Sequence, residues 1–418
     1  MEYKEFMKKE LLAAFGCTEP IALAYAAAKA KEELGEEPEK IIANLSGNMI
    51  KNANSVKVPG TEGRKGIEIS LVAGALLGDA DRKLEVLENI DKSRLEECDK
   101  LIEEGICELN LVPGIANLYI DVILKKGENS ARVVIEDDHT NITTIERNGE
   151  VIFKKSVEKT EDTKMDFTFD KIYDYALNVD YSDIKDILDL EIKYNYEIAV
   201  EGLENDWGSN IGSLILNSAG DNEREQLAAY ASAGSDARMS GCEMPVIINS
   251  GSGNQGITVA VPIIVYAKNH GIEGDRLYRA LIFANLLGLY MKEGIGKLSA
   301  YCGVVSAGSA SVCGIAMLKG EPKEVIADTL SNALAVNSGI ICDGAKPSCA
   351  MKIASSIRNG FLAYDQAKTK NSFNSGDGIV KKNIDETIKT VGNIAKYGMK
   401  TTDEIILNEM IEKEYEKN

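Results

Sequence analysis

Two cysteines, Cys342 and Cys349, bracket a short polar loop in ICDGAKPSC, tightened by Gly344 and Pro347. Upstream, Cys302 stands in the loop-like stretch AYCGVVSAGS. The residues after Ser348, CAMKIASSIRNGFLAY, have helical spacing, so Cys349 is expected in a first turn. There the backbone N–H groups and the helix dipole favour a thiolate. Soft thiolates without a histidine partner suit an iron–sulfur cluster or zinc. Structural zinc sites and electron-transfer clusters close their shell with four ligands, whereas three thiolates leave one metal corner open to water or substrate. That is an arrangement for Lewis-acid chemistry. Spacing alone leaves a plainer alternative open, in which Cys342 and Cys349 are two packed thiols.

Cys17 is the second reactive candidate. It lies in FGCTEPIALAYA, just ahead of a predicted helix whose N-cap is read as Thr18 and whose first turn holds Pro20. A helix terminus lowers a thiol's pKa and makes it a competent base or nucleophile; a half-buried helix-entry cysteine is the alternative. A third stretch, IINSGSGNQGITVAV, alternates glycines with Ser250, Ser252, Asn254 and Gln255 before an apolar helix. Backbone N–H groups in such a loop form a nest for an anion such as a carboxylate. Cys98 and Cys107 among acids and Cys313 in an apolar, small-residue segment read as structural, while Cys242 in MSGCEMP is ambiguous. If one helix ran from Cys302 to Cys313, the two sulfurs would be roughly 16 Å apart and could not share one metal centre.

The totals exclude much else. The chain has 418 residues, net charge −19 and two histidines. Such a field repels phosphate backbones and anionic lipid, so no nucleic-acid or membrane partner is expected. His139, near a strand start, and His270, at a helix end, sit in no nucleophile elbow or zinc-protease helix. No Walker A loop or dinucleotide fingerprint is present. The N-terminal stretch lacks a long apolar run, and ITVAVPIIVYA is too short to span a bilayer. A cytoplasmic protein with reduced cysteines is expected.

The elements that must position these residues follow from periodicity. Residues 1–34 read as helical with a break at Gly16. Strands are predicted over KIIANLSGNMI, GIEISLVAG, CELNLV, NLYIDVILKK, ARVVIEDD, NITTIER and EVIFKK, with a hairpin turn at Asn148-Gly149. DRKLEVLENI and SRLEECDKLIEEG read as helices. A charged connector, SVEKTEDTKMD, marks a domain boundary, and beyond it long helical patterns dominate. The expected fold is an α+β N-terminal domain (residues 1–165) carrying the Cys17 loop, followed by a larger all-α domain (166–418) that binds the metal centre.

Taken in order, FGCTEP, SGNMIKN, SGSGNQG, YCGVVSAGSASVCG and CDGAKPSCAMK resemble, over nearly the whole chain, the L-cysteine desulfidase family. These proteins are related to the α chain of iron–sulfur L-serine dehydratase. The resemblance implies an oxygen-sensitive 4Fe–4S cluster on Cys302, Cys342 and Cys349, with one open iron and no pyridoxal phosphate. It implies conversion of L-cysteine to pyruvate, ammonia and sulfide, with Cys17 as the base. The glycine-rich nest and Lys51 of GNMIKN are then candidates to hold the substrate carboxylate. Two alternatives stay open: an iron–sulfur L-serine dehydratase, and a non-catalytic metal-thiolate or sulfide-carrying protein, which a fourth cysteine ligand would favour. A small-molecule substrate is expected, and the oligomeric state is left open.

Overall fold

The computed structural model describes residues 2–54, 56–115, 118–155, 165–296 and 298–415. Most of the predicted connector, 156–164, lies outside the described residues. The chain opens with helix α1 (Tyr3–Glu10), strand β1 (Ala13–Phe15) and helix α2 (Thr18–Leu34). Strand β2 (Lys40–Leu45), helices α3 (Gly47–Ala53), α4 (Ile67–Leu77) and α5 (Leu95–Glu103), and strand β3 (Cys107–Leu111) follow. A meander of β4 (Tyr119–Lys126), β5 (Asn129–Glu136), β6 (Ile142–Arg147) and β7 (Glu150–Lys154) completes the first part.

These strands make one six-stranded sheet in the order β3-β2-β4-β5-β6-β7. Only β2 and β3 run parallel, as expected where three helices make the crossover between them. The β-branched residues of β4 and β5 alternate, and Ile120, Val122, Leu124, Val133 and Ile135 are buried. Helix α2 packs against β4 and β5, and α4 packs on α2.

GIEISLVAG is a helix rather than the predicted strand. Its Ile-x-Ile-x-Leu alternation mimics a strand, but α4 is enclosed on nearly every side, so no polar stripe reveals the 3.6-residue period. Gly74 permits the close approach to α2: a methyl there would stand 2.3 Å from the Ala24 carbonyl oxygen. KIIANLSGNMI is likewise divided, with β2 ending at Leu45 and α3 starting at Gly47. DRKLEVLENI forms only a short 3₁₀ turn over Ala80–Glu85.

Residues 165–415 are almost wholly helical: α6 (Phe169–Asn178), α7 (Lys185–Glu204), α8 (Ile211–Ala219) and α9 (Glu223–Met239) lead to the short strand β8 (Pro245–Ile247). Then come α10 (Gly253–Asn269), α11 (Asp275–Ile295), α12 (Gly303–Leu318), α13 (Lys323–Asn337), α14 (Cys349–Lys368), α15 (Ile384–Asn393) and α16 (Lys400–Tyr415). Helices α10 and α12 are buried along almost their whole length. Small residues allow this packing; a methyl on Gly202 of α7 would meet the Ala233 carbonyl of α9 at 2.0 Å.

The two parts are stitched together around one region. Strand β1 pairs antiparallel with β8, Ala13 opposite Ile247. The Tyr3 and Phe167 rings stack at 5.3 Å. Lys346 Nζ donates to the Asn54 carbonyl at 2.9 Å. Helix α16 returns onto α3, where Asp403 accepts from Asn48 and from Lys51.

Candidate active site

Gly16 turns the chain from β1 into α2 with φ +74°, close against Pro59. The N-cap of α2 is Cys17, one residue before the predicted Thr18. Thr18 is instead the first helical residue, and its hydroxyl donates to the Gly251 carbonyl (3.0 Å) and to Glu19 Oε2 (3.1 Å). This ties the Cys17 loop to the glycine-rich loop. Burial pushes the Cys17 thiol up to about 12, with Arg238 the main opposing charge. The thiolate favoured by a helix terminus is therefore opposed by desolvation, which outweighs it.

Across from it, Asn249 and Ser252 exchange two backbone hydrogen bonds of 3.1 Å, pinching the loop that carries Ser250 and Gly251 at positive φ. Ser252 then caps α10, its side chain accepting from Gln255 N–H. Beneath this loop runs a buried network. Asn249 Nδ2 donates to Asn285 Oδ1 (2.9 Å), and Asn285 Nδ2 donates to both oxygens of Glu191 at 3.0 Å.

Burial raises the Glu191 carboxyl to about 8 against the bonds from Asn285. The folded chain keeps this proton while the unfolded chain releases it above about 4.5. The stability the group contributes is complete below pH 4.5 and lost as pH rises through 8. Glu191→Gln is therefore expected to melt higher than the wild type at pH 8 and to flatten the fall of Tm between pH 5 and 8. Superimposable pH–Tm profiles for the two proteins would show that Glu191 is ionised in the fold.

The remaining three cysteines come from three backbone anchors. Cys302 is the N-cap of α12, and its N–H donates to the Ile340 carbonyl at 3.1 Å. Cys342 N–H donates to the Ala300 carbonyl at 2.7 Å, so the two cysteines flank an isolated antiparallel bridge, Tyr301 to Ile341. Cys349 is the first residue of α14, with its thiol 3.7 Å from the Gly344 carbonyl. Cys302 hydrogen-bonds to Cys342, which holds Cys342 low and Cys302 high. The charges of Lys51 and Lys352 also favour the Cys342 thiolate. Burial raises Cys349 to about 11.

Cys17, Cys302, Cys342 and Cys349 line one cavity. Ser252, Asn254 and Gln255 line it too; Ser250 does not. Lys51 also lies outside the lining, fully buried, with its ammonium on Asp403 and 3.4 Å from the Cys342 carbonyl. It acts on the cavity only through its charge. Cys98, Cys107, Cys242 and Cys313 are elsewhere; Cys313, inside α12, points its thiol at the Ile326 carbonyl. All eight cysteines are free thiols.

Three charged residues also reach the cavity without a sequence signal that singled them out. Arg238 ends α9, where a basic residue is ordinary, and Lys292 sits similarly near the end of α11. Glu19 looks like a routine first-turn acid of α2. The fold places its Oε2 3.8 Å from the Cys17 thiol and its Oε1 4.0 Å from His139 Nε2. His139 is buried behind Glu19, in the turn between β5 and β6. His270 caps the end of α10 and pairs with Glu223 at 2.9 Å.

Among the described residues, no group of three His, Cys, Asp or Glu is placed to hold a single metal ion. The donor set on the cavity is instead four thiols on separate anchors, Cys302, Cys342 and Cys349 with Cys17 beside Cys349. A polynuclear iron–sulfur cluster takes such thiolates on different irons, spread wider than around one zinc at about 2.3 Å. The residues present fit that group.

The fold and cavity thus define a chain that faces soft thiol donors with a cationic, hydrogen-bonding wall. Residues 81–408 match the serine dehydratase alpha chain family. Similar full-length proteins include UPF0597 proteins of Lachnoclostridium phytofermentans (46% identical, covering 97% of this chain and 98% of the relative) and Finegoldia magna (43%, 98% and 99%). Another, from Treponema denticola, is 40% identical over 98% of this chain and 97% of its own length. The chain belongs to the serine dehydratase alpha chain family, a family of lyases. Among the described residues, no helix is long and apolar enough to cross a membrane.

Proposed function

We propose that the protein is a carbon–sulfur lyase, an L-cysteine desulfidase that uses a 4Fe–4S cluster and no pyridoxal phosphate. The observation that carries this reading is the convergence of Cys302, Cys342 and Cys349 on the cavity that also holds Cys17. These three residues would hold the cluster, which supplies when bound a Lewis-acidic iron, left open by three thiolates, for the substrate's sulfur.

The chain's own residues do the rest. Gln255, Asn254 and Ser252 at the start of α10 face the cavity and orient a carboxylate at a helix N-terminus. Cys17, on a separate loop, receives the Cα proton as its thiolate, the form that the nearby Arg238 charge favours. The released electron pair forms the Cα–Cβ double bond as the Cβ–S bond breaks, and sulfide departs. The resulting 2-aminoacrylate hydrolyses to pyruvate and ammonia without further help. Lys51 and Lys352 favour the thiolate of Cys342, and so the ligand form of that residue.

The family match favours one other reading, an L-serine dehydratase with hydroxide as leaving group. Anaerobically reconstituted protein separates the two. L-Cysteine is expected to give pyruvate and sulfide in equal amounts, at a rate far above pyruvate from L-serine, because soft sulfur enters an iron's shell more readily than a neutral hydroxyl. Equal or faster turnover of L-serine would assign the protein to the dehydratases. Full activity in an iron-free sample would end the cluster reading altogether.

A further inference from the structure

The last turn of α9 delivers Arg238 into the cavity wall, where it is 3% exposed. Its Nη2 donates to the Gly16 carbonyl at 2.8 Å and its Nη1 to Asn254 Oδ1 at a long 3.3 Å. Its Nε has no partner. Two of the five N–H donors of a guanidinium are thus used, both on neutral oxygens. Among the described residues, no carboxylate forms an ion pair with it.

The group is held in place on purpose-built backbone. A methyl on Gly253 would stand 2.2 Å from Arg238 Nε, so the guanidinium lies flush against the first residue of α10. A guanidinium stays charged in any protein, and a buried charge with no counter-ion is strongly unfavourable. This one therefore awaits an anion. Lys292, also 3% exposed, lines the same cavity, and the N-terminal dipole of the 17-residue helix α10 points there too. Glu19 is the one carboxylate among the described lining residues.

We propose that Arg238, supported by Lys292, recognises the α-carboxylate of the substrate, and that Glu19 receives its α-ammonium. The site is then built for a free zwitterionic α-amino acid and against amines, esters and peptides, which lack one of the two charges. Arg238 also joins the Cys17 loop to the α10 loop, so carboxylate binding fixes both walls at once. This assignment rests on the amino-acid elimination reading of the same cavity.

The test pairs a charge change in the protein with one in the ligand. L-Cysteine, L-cysteine methyl ester and cysteamine are compared on anaerobically reconstituted wild type, Arg238→Lys and Arg238→Gln, by steady-state kinetics and by calorimetric titration. The wild type should prefer L-cysteine over both analogues by roughly 100-fold. Arg238→Gln should raise KM for L-cysteine by about that factor, with a smaller change in kcat, and lose most of the preference among the three ligands. Arg238→Lys keeps the charge without the fork and should fall between.

Because Arg238 also ties two loops, Lys292→Gln provides a second variant, with a roughly 10-fold loss of the same preference. Folded variants whose KM and ligand preference match the wild type would overturn the assignment. So would a fall in kcat alone, which would make the Cys17 thiolate the anion that Arg238 serves. If the wild type makes no pyruvate yet binds L-cysteine with an Arg238-dependent preference, the elimination reading fails and the recognition site stands.

Discussion

Serine at Cys302, Cys342 or Cys349 is expected to remove iron and activity together. Each thiol sits on a different rigid anchor: the N-cap of α12, the end of a bridge hydrogen-bonded to Ala300, and the first residue of α14. Cys313 cannot replace one of them, because it is buried within α12 against Ile326. A hydroxyl is a harder and less acidic donor than a thiol, so each change leaves two soft ligands of the three proposed. The loss of iron should exceed the roughly 10–100-fold drop in affinity typical of an outer-shell change. Metal analysis and the visible spectrum of protein purified without oxygen measure it, and Cys313→Ser is the control that should keep its iron. A Cys349→Ser protein with full iron and colour would remove Cys349 from the ligand set.

Cys17→Ser should do the opposite, keeping iron while turnover falls by something like 10²–10⁴-fold, the usual cost of losing a general base. Serine is a favourable N-cap, so α2 should start where it does now and the fold should be kept. Its hydroxyl, however, is a far weaker base than a thiolate. Burial holds the Cys17 thiol up at about 12, and the charge of Arg238 works in the other direction. L-Cysteine should still perturb the visible spectrum of the variant, because binding does not depend on the proton acceptor. Loss of iron from Cys17→Ser would make Cys17 a ligand. Undiminished turnover would transfer the proton step to another group, with Glu19, 3.8 Å from the thiol, the nearest carboxylate.

Local pattern determined a good deal of this protein. The hairpin at Asn148-Gly149 needs only its two turn residues, and β4 to β7 follow from alternation beside it. Helices such as α7, α13 and α15 keep a polar stripe that betrays their period. Cys302, Cys342 and Cys349 were legible because thiols beside glycine, proline and helix starts are uncommon in a chain this poor in histidine. The SGSGNQG stretch was legible as a helix-opening loop for the same local reason. Where burial is complete the pattern vanishes, which is why α4 reads as a strand and why α3 merges into β2.

Tertiary structure alone decided which residues meet. Cys17 and Cys302 are far apart in the chain, and the pairing of β1 with β8, the Thr18–Gly251 bond and the Arg238–Gly16 bond help bring the Cys17 loop to the shared cavity. The same packing turned Lys51 away from the cavity onto Asp403 of α16 and brought in Arg238, Lys292 and Glu19 instead. A charged residue near a helix end has the same local signature whether it faces water or a buried wall. Its role depends on the dielectric and the partners that the fold supplies, and those come from segments hundreds of residues away.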